Sequence, residues 1–139
     1  MKASATVELL ASVEDAWRFC TDPYLLADWW PGVAALVADG RGLAAGARWE
    51  VRRTARPGLV RRAAAQELLL VRRVEAGRLF GWHLTGERLE CELQLEPTGP
   101  QRTRATLTVA SPFLAGFRRS LPRVALGRLY ALCQTGAES

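Results

Sequence analysis

Histidine, lysine and methionine each occur once in this chain, and the three cysteines, Cys20, Cys91 and Cys133, are widely separated with no CxxC pair. Cysteines odd in number and scattered argue against a disulfide framework and against a zinc knuckle. They read as small apolar residues of a reducing compartment. With His83 as the only histidine, no conventional His- or Cys-rich metal site can be assembled, and no DxDxDG run supplies a carboxylate one. The chain is expected to need neither metal nor cofactor. No window approaches the ~18 apolar residues of a membrane span, and Glu8 soon interrupts the start, so a leader is not expected. The expectation is a soluble, cytoplasmic protein.

The motifs of the common catalytic scaffolds are also missing. There is no nucleophile elbow, HExxH or Walker loop, and Gly40-Arg41-Gly42-Leu43-Ala44-Ala45-Gly46 misses the dinucleotide spacing by one residue and precedes a strand. Arginine carries nearly all of the +5 charge, since Lys2 is the only lysine. The doublets at 52–53, 61–62 and 72–73 put at most one member each on an outer strand face and lack interleaved aromatics. They read as solvated surface, and no nucleic-acid partner is expected.

What is present fits one domain over residues 1–139, about half hydrophobic and long enough to bury a single core. Lys2 to Leu10 alternates as an opening strand. Ser12 can cap a helix whose Val13, Ala16, Trp17 and Cys20 form one stripe, and Asp22-Pro23 starts a second helix that ends at Pro31-Gly32. Strands follow at Val33–Ala38, Ala47–Arg53, Arg62–Val74, Leu79–Thr85, Leu89–Glu96 and Thr103–Ala110. Asp39-Gly40-Arg41-Gly42, Arg56-Pro57-Gly58, Ala76-Gly77, Gly86-Glu87 and Pro97-Thr98-Gly99-Pro100 separate them, and connections this short favour antiparallel pairing. From Phe113 to Gln134 the spacing is helical again, with Phe113, Phe117, Leu121, Val124, Ala125, Leu129 and Leu132 along one face. Pro122 predicts either a kink or a fresh start capped by Ser120. The fold class is α+β: an antiparallel sheet of about seven strands, two short helices after the first strand and a long C-terminal helix.

This order resembles the START-like superfamily of Bet v 1-type helix-grip proteins, particularly its polyketide cyclase/dehydrase and lipid-transport branch. The resemblance spans nearly the whole chain. Its carriers are Ala11-Ser12-Val13-Glu14-Asp15-Ala16-Trp17, Thr21-Asp22-Pro23, Trp30-Pro31-Gly32-Val33, Gly46 and Glu75-Ala76-Gly77-Arg78-Leu79. The stretch Leu25-Leu26-Ala27-Asp28-Trp29-Trp30 is also similar to relatives of the Hsp90 co-chaperone activator domain, although the matching charged, glycine-rich third strand is lacking. The resemblance implies a curved sheet gripping the last helix over an apolar cavity.

A two-residue turn at Gly86-Glu87 would pair Leu84 with Leu89, His83 with Glu90 and Trp82 with Cys91. Phe80, Trp82, Leu84, Cys91 and Leu93 then face inward, joined by Trp49 and Val51 of the third strand and Leu107 of the last. Phe117 and Leu121 close that face from the helix, and Trp30 adds a large flat ring suited to walling a cavity. These residues are the candidate ligand-binding set. His83 falls on the outer face, which opposes its use as a general base unless a bulge at Gly81 reverses the parity. Arg53 and Glu67 are possible inward polar groups, and no catalytic residue is identified. The leading reading is a module binding a hydrophobic or aromatic small molecule, of the lipid or polyketide kind. The alternatives are a cyclase, aromatase or dehydrase enzyme and a co-chaperone-like domain with a protein partner.

Overall fold

The computed structural model describes residues 1–53, 66–112 and 117–138. Its elements run β1 (Lys2–Leu9), α1 (Val13–Thr21), α2 (Pro23–Trp29), β2 (Val33–Val37), β3 (Arg48–Arg53), β4 (Leu68–Glu75), β5 (Leu79–Leu84), β6 (Leu89–Gly99), β7 (Arg102–Ala110) and α3 (Leu121–Glu138). The seven strands form one antiparallel sheet in the order β1-β7-β6-β5-β4-β3-β2. Sequence neighbours therefore pair all the way from β2 to β7, and β1 returns to cover the free edge of β7. Helix α3 packs against β1 and β7 and touches α1 and α2. This is the helix-grip arrangement.

Local chemistry accounts for the helix boundaries. The Ser12 hydroxyl accepts the Asp15 N–H (3.2 Å) and the Asp22 carboxylate accepts that of Tyr24 (2.9 Å), so each short helix has one orphan donor satisfied at its start. Pro23 occupies the first helical position, where its missing N–H costs nothing. The last helix begins afresh at Leu121, with the Ser120 carbonyl accepting the Val124 N–H (3.0 Å) and Pro122 in the first turn. Phe117 and Arg118 consequently lie outside the helix, and the expected start at Phe113 lies outside the described residues. Once the helix restarts, its buried stripe is Pro122, Ala125, Leu126, Leu129 and Cys133, while Val124, expected inside, is 41% exposed.

The end of β6 and the β5–β6 turn also differ from expectation. Strand β6 continues through Pro97 to Gly99 and the chain turns at Pro100-Gln101. A shift of register between Pro97 and Gly99 absorbs the proline, which cannot donate to a regular ladder. Strand β4 is assigned from Leu68, and its expected beginning at Arg62 lies outside the described residues. The β5–β6 connection is a four-residue turn, Thr85 to Arg88, with Arg88 in the left-handed region at φ 53°. Thr85 turns away from Arg88 and joins β4 instead: its N–H donates to Leu68 O and its hydroxyl accepts the Leu68 N–H, both at 2.9 Å. Leu84 still pairs with Leu89, so the expected faces of the hairpin are unchanged. No bulge falls at Gly81 against β6; the irregularity lies in β4, between Val71 and Arg73.

Candidate functional site

Alternation with a period of two divides the sheet into two unlike faces. On the outer face Arg72 and Glu90 (3.4 Å), Arg73 and Glu75 (3.6 Å), and Arg104 and Glu96 (3.5 Å) form ion pairs, and Ser4 meets Thr108 and Thr6 meets Thr106 at 3.2 Å. Inward stand Leu9, Leu69, Val71, Leu93, Leu95, Ala105, Leu107 and Val109, all buried.

The centre of the inward face is aromatic. Phe80 lies 4.9 Å from Trp82 between ring centroids, and Trp82 meets Trp30 at 5.4 Å and Trp29 at 6.4 Å. Trp29 and Trp30 are 5.7 Å apart, while Trp49 and Trp17 flank Phe80 at 6.1 and 6.5 Å. Most of these contacts are edge-to-face, the arrangement that the ring quadrupole favours. Rings from α1, the end of α2, β3 and β5 thus make one continuous wall.

Nine of the eleven residues of the candidate set lie in the same hydrophobic core as these rings, and the other two pack against it. Trp30, Trp49, Val51, Phe80, Trp82, Leu84, Cys91, Leu93 and Leu107 are buried, and Phe117 and Leu121 pack on the cluster while partly exposed. Trp17, expected in the buried stripe of the first helix, and Trp29, expected only as part of the second, share the wall as well. The signal that could have found them is their helical spacing toward the same interior.

The polar fittings of the wall differ from ring to ring. Trp29 Nε1 donates to Phe19 O (3.2 Å) and Trp49 Nε1 to Gly42 O (3.4 Å). The loop offering Gly42 is fastened by Asp39, whose carboxylate accepts the N–H groups of Arg41 and Arg48 (both 3.1 Å). Those two bonds, Arg48's first, hold the Asp39 carboxyl below the usual carboxylate range. Trp30 Nε1 is buried and has no hydrogen-bond partner among the described residues. Leaving a buried donor unpaired costs about 1–3 kcal/mol.

A charged cluster lies at one end of the sheet, where β3 and β5 finish and β4 and β6 begin. Arg53, on the inward parity with Trp49 and Val51, donates from Nε to Glu67 and approaches Glu87 through Nη1, both at 2.7 Å. Glu67 continues the inward parity of Leu69 and Val71. Glu87, a turn residue to sequence reasoning, joins the cluster because the four-residue turn folds it back toward β3. A Cβ on Gly86 would sit 2.5 Å from the Glu67 carboxyl carbon, so glycine leaves room for this arrangement. Arg53 Nη1 also reaches over Gly32, 3.6 Å from where a Cβ would stand, which sets the cluster beside the Trp30-Pro31-Gly32 corner.

His83 is on the outer face, as its register demands, with Nδ1 2.8 Å from Glu90 Oε1. The approach is off the line of a hydrogen bond, and the side chain is 20% exposed, more covered than a solvated cross-strand pair implies. An open groove of about 460 Å³ lies toward the opposite end of the sheet, lined by Arg73, Glu75, Arg78, Glu92, Glu96 and Arg104 among others. It is polar, its charges neutralise one another, and it does not reach the aromatic wall. The thiols are buried too: burial, reinforced by Cys133, pushes Cys20 well up, burial does the same to Cys91, and Cys133 is pushed up to about 11. Among the described residues no group of three His, Cys, Asp or Glu is placed to hold a metal ion, and no helix is long and apolar enough to cross a membrane.

Solved structures with the same fold cover almost the whole chain. An AHSA1-like protein from Aeromonas hydrophila superposes with a TM-score of 0.73 at 17% identity, over 100% of this chain and 96% of its own. Norcoclaurine synthase from Thalictrum flavum, in complex with dopamine and hydroxybenzaldehyde, gives 0.66 at 17% identity, over 97% of this chain and 87% of its own. The Aha1 dimer from Colwellia psychrerythraea gives 0.64 at 17%, over 97% and 95%. Identities this low speak for the fold alone. No curated protein matches. The sequence model of the polyketide cyclase / dehydrase and lipid transport family matches residues 1–133, and the chain belongs to that family.

Proposed function

We propose that this single domain binds a hydrophobic or aromatic small molecule, of the lipid or polyketide kind, against the inward aromatic wall. The observation that carries this reading is the continuity of Trp49, Phe80, Trp82 and Trp30 on one face, rings from β3, β5 and the corner before β2. Sites for small molecules are mainly apolar with a few placed polar groups, and this wall, with the Trp30 N–H unpaired among the described residues, has that composition. Phe117 and Leu121, partly exposed where Trp30, Trp49 and Trp82 are buried, lie on the side from which a ligand would enter. The dopamine and hydroxybenzaldehyde held by norcoclaurine synthase are small aromatics, which supports a ligand of that size. Three buried thiols suit a reducing cytoplasm. Titration with 1-anilinonaphthalene-8-sulfonate should give saturable fluorescence enhancement that weakens in Trp82→Ala. Folded protein without saturable binding would refute the reading.

A catalytic reading of the cyclase or dehydrase kind is favoured by one observation, the Glu67 carboxylate held on the inward parity by Arg53. A carboxylate fixed beside a ligand can take up a proton from it. Glu67→Gln would then abolish turnover of a cyclisable ligand while leaving its binding in place.

A further inference from the structure

Among the four deeply buried indoles of the wall, Trp29, Trp30, Trp49 and Trp82, three differ in what the structure gives their N–H groups. Trp29 and Trp49, both 0% exposed, hand their N–H groups to backbone carbonyls; Trp30, 3% exposed, has no acceptor for its own among the described residues. The Trp30 ring is not free to search for a partner. Its backbone N–H is tied to Leu26 O (3.0 Å) as the cap of α2, and its ring is wedged edge-to-face between Trp29 (73°) and Trp82 (80°). Gly32, two residues on, takes a positive φ of 81° under the Arg53 guanidinium, so the chain on that side is turned toward β3. The result is a fixed donor packed among apolar rings, at the end of the sheet where Arg53, Glu67 and Glu87 gather.

We infer that Trp30 Nε1 is the polar selector of the site, and that the ligand class is a hydrophobic molecule carrying a hydrogen-bond acceptor, a carbonyl, ether or phenolic oxygen, which it places on that N–H. This rests on the ligand-binding reading above and narrows it. A ligand without an acceptor leaves the donor unpaired in a dry environment, whereas one with an acceptor removes that penalty on binding, so the site discriminates between molecules of the same shape.

The test uses protein labelled with nitrogen-15 at its indoles, whose five Trp residues give separate Nε1–H signals. Trp30 is identified as the signal missing from Trp30→Phe. The probes are 2-acetylnaphthalene and 2-isopropylnaphthalene, nearly equal in shape, of which only the first carries an acceptor. The wild-type protein should bind the acetyl probe about five- to tenfold more tightly, the yield of one net hydrogen bond. Its Trp30 N–H signal should move downfield with the acetyl probe and not with the isopropyl one. In Trp30→Phe the ratio of the two affinities should fall to near one. Equal affinity of the wild type for both probes, or a preference that survives Trp30→Phe, would overturn the role of Trp30 and leave the ligand-binding reading standing. Binding of neither probe would overturn both. The wild-type shift decides the matter even if the variant folds poorly.

Discussion

Trp82 and His83 are consecutive residues on one strand and live in opposite worlds. Trp82 is 1% exposed among Trp29, Trp30 and Phe80, while His83 stands on the outer face against Glu90. Their partners across the hairpin, Cys91 and Glu90, repeat the contrast. A strand converts adjacency in sequence into separation by a whole sheet, so the turn that sets the register decides which residue is available for function. In this hairpin it gives the interior the rings and the exterior the only histidine.

The Trp82 ring is where a substitution costs most. Trp82→Ala removes a side chain packed against three others and should destabilise the protein by about 3–5 kcal/mol, measured by urea unfolding. A cost below about 1 kcal/mol would mean that the face is not a packed interior.

The rim of the wall should respond less. Arg53→Gln leaves Glu67 and Glu87 without their shared cation and should cost about 1 kcal/mol, since all three side chains keep contact with water. Gly86→Ala pushes a methyl group into the Glu67 carboxylate and acts on the same ion pair, so the double variant should cost less than the sum of the singles. Full additivity in chemical denaturation would separate Gly86 from the cluster.

Much of this architecture was legible because short-range chemistry fixed it. Ser12 and Asp22 cap the helices expected of them, and the turn near Gly86 sets a register that the four-residue loop preserves. The misreadings occurred where tertiary packing overrode local pattern. Phe117 has the helical spacing of Leu121 but lies before the helix start at Leu121, and that start turns Val124 outward and Leu126 inward. Pro97 reads as the end of a strand until the facing strand tolerates a bulge. At the site, the inward residues followed from alternation alone. Glu87 and the unpaired N–H of Trp30 did not, because both depend on how distant segments meet in space.

The cysteines sharpen the inside-outside contrast through pH. Their folded pKa values are raised by burial, so the native state keeps protons that the unfolded chain, with thiols near 8.5, gives up. The stability they contribute is whole below that unfolded value and is lost as pH rises through the folded one, about 11 for Cys133. The melting midpoint should fall more steeply above pH ~9 in the wild type than in Cys133→Ala, by the linkage between protons and folding. Parallel profiles would show that Cys133 is not protected. The smallest effect belongs to His83→Ala, expected to change stability by no more than about 0.5 kcal/mol, as at surface sites.

The measurement that tests the account most directly maps a bound apolar ligand onto the two faces. 1-Anilinonaphthalene-8-sulfonate titrated into the labelled protein should shift the indole signals of Trp30, Trp49 and Trp82 along one saturation curve while the His83 ring signals stay in place. Saturable shifts at His83 with the tryptophans unmoved would contradict the assignment of the inward face as the binding site.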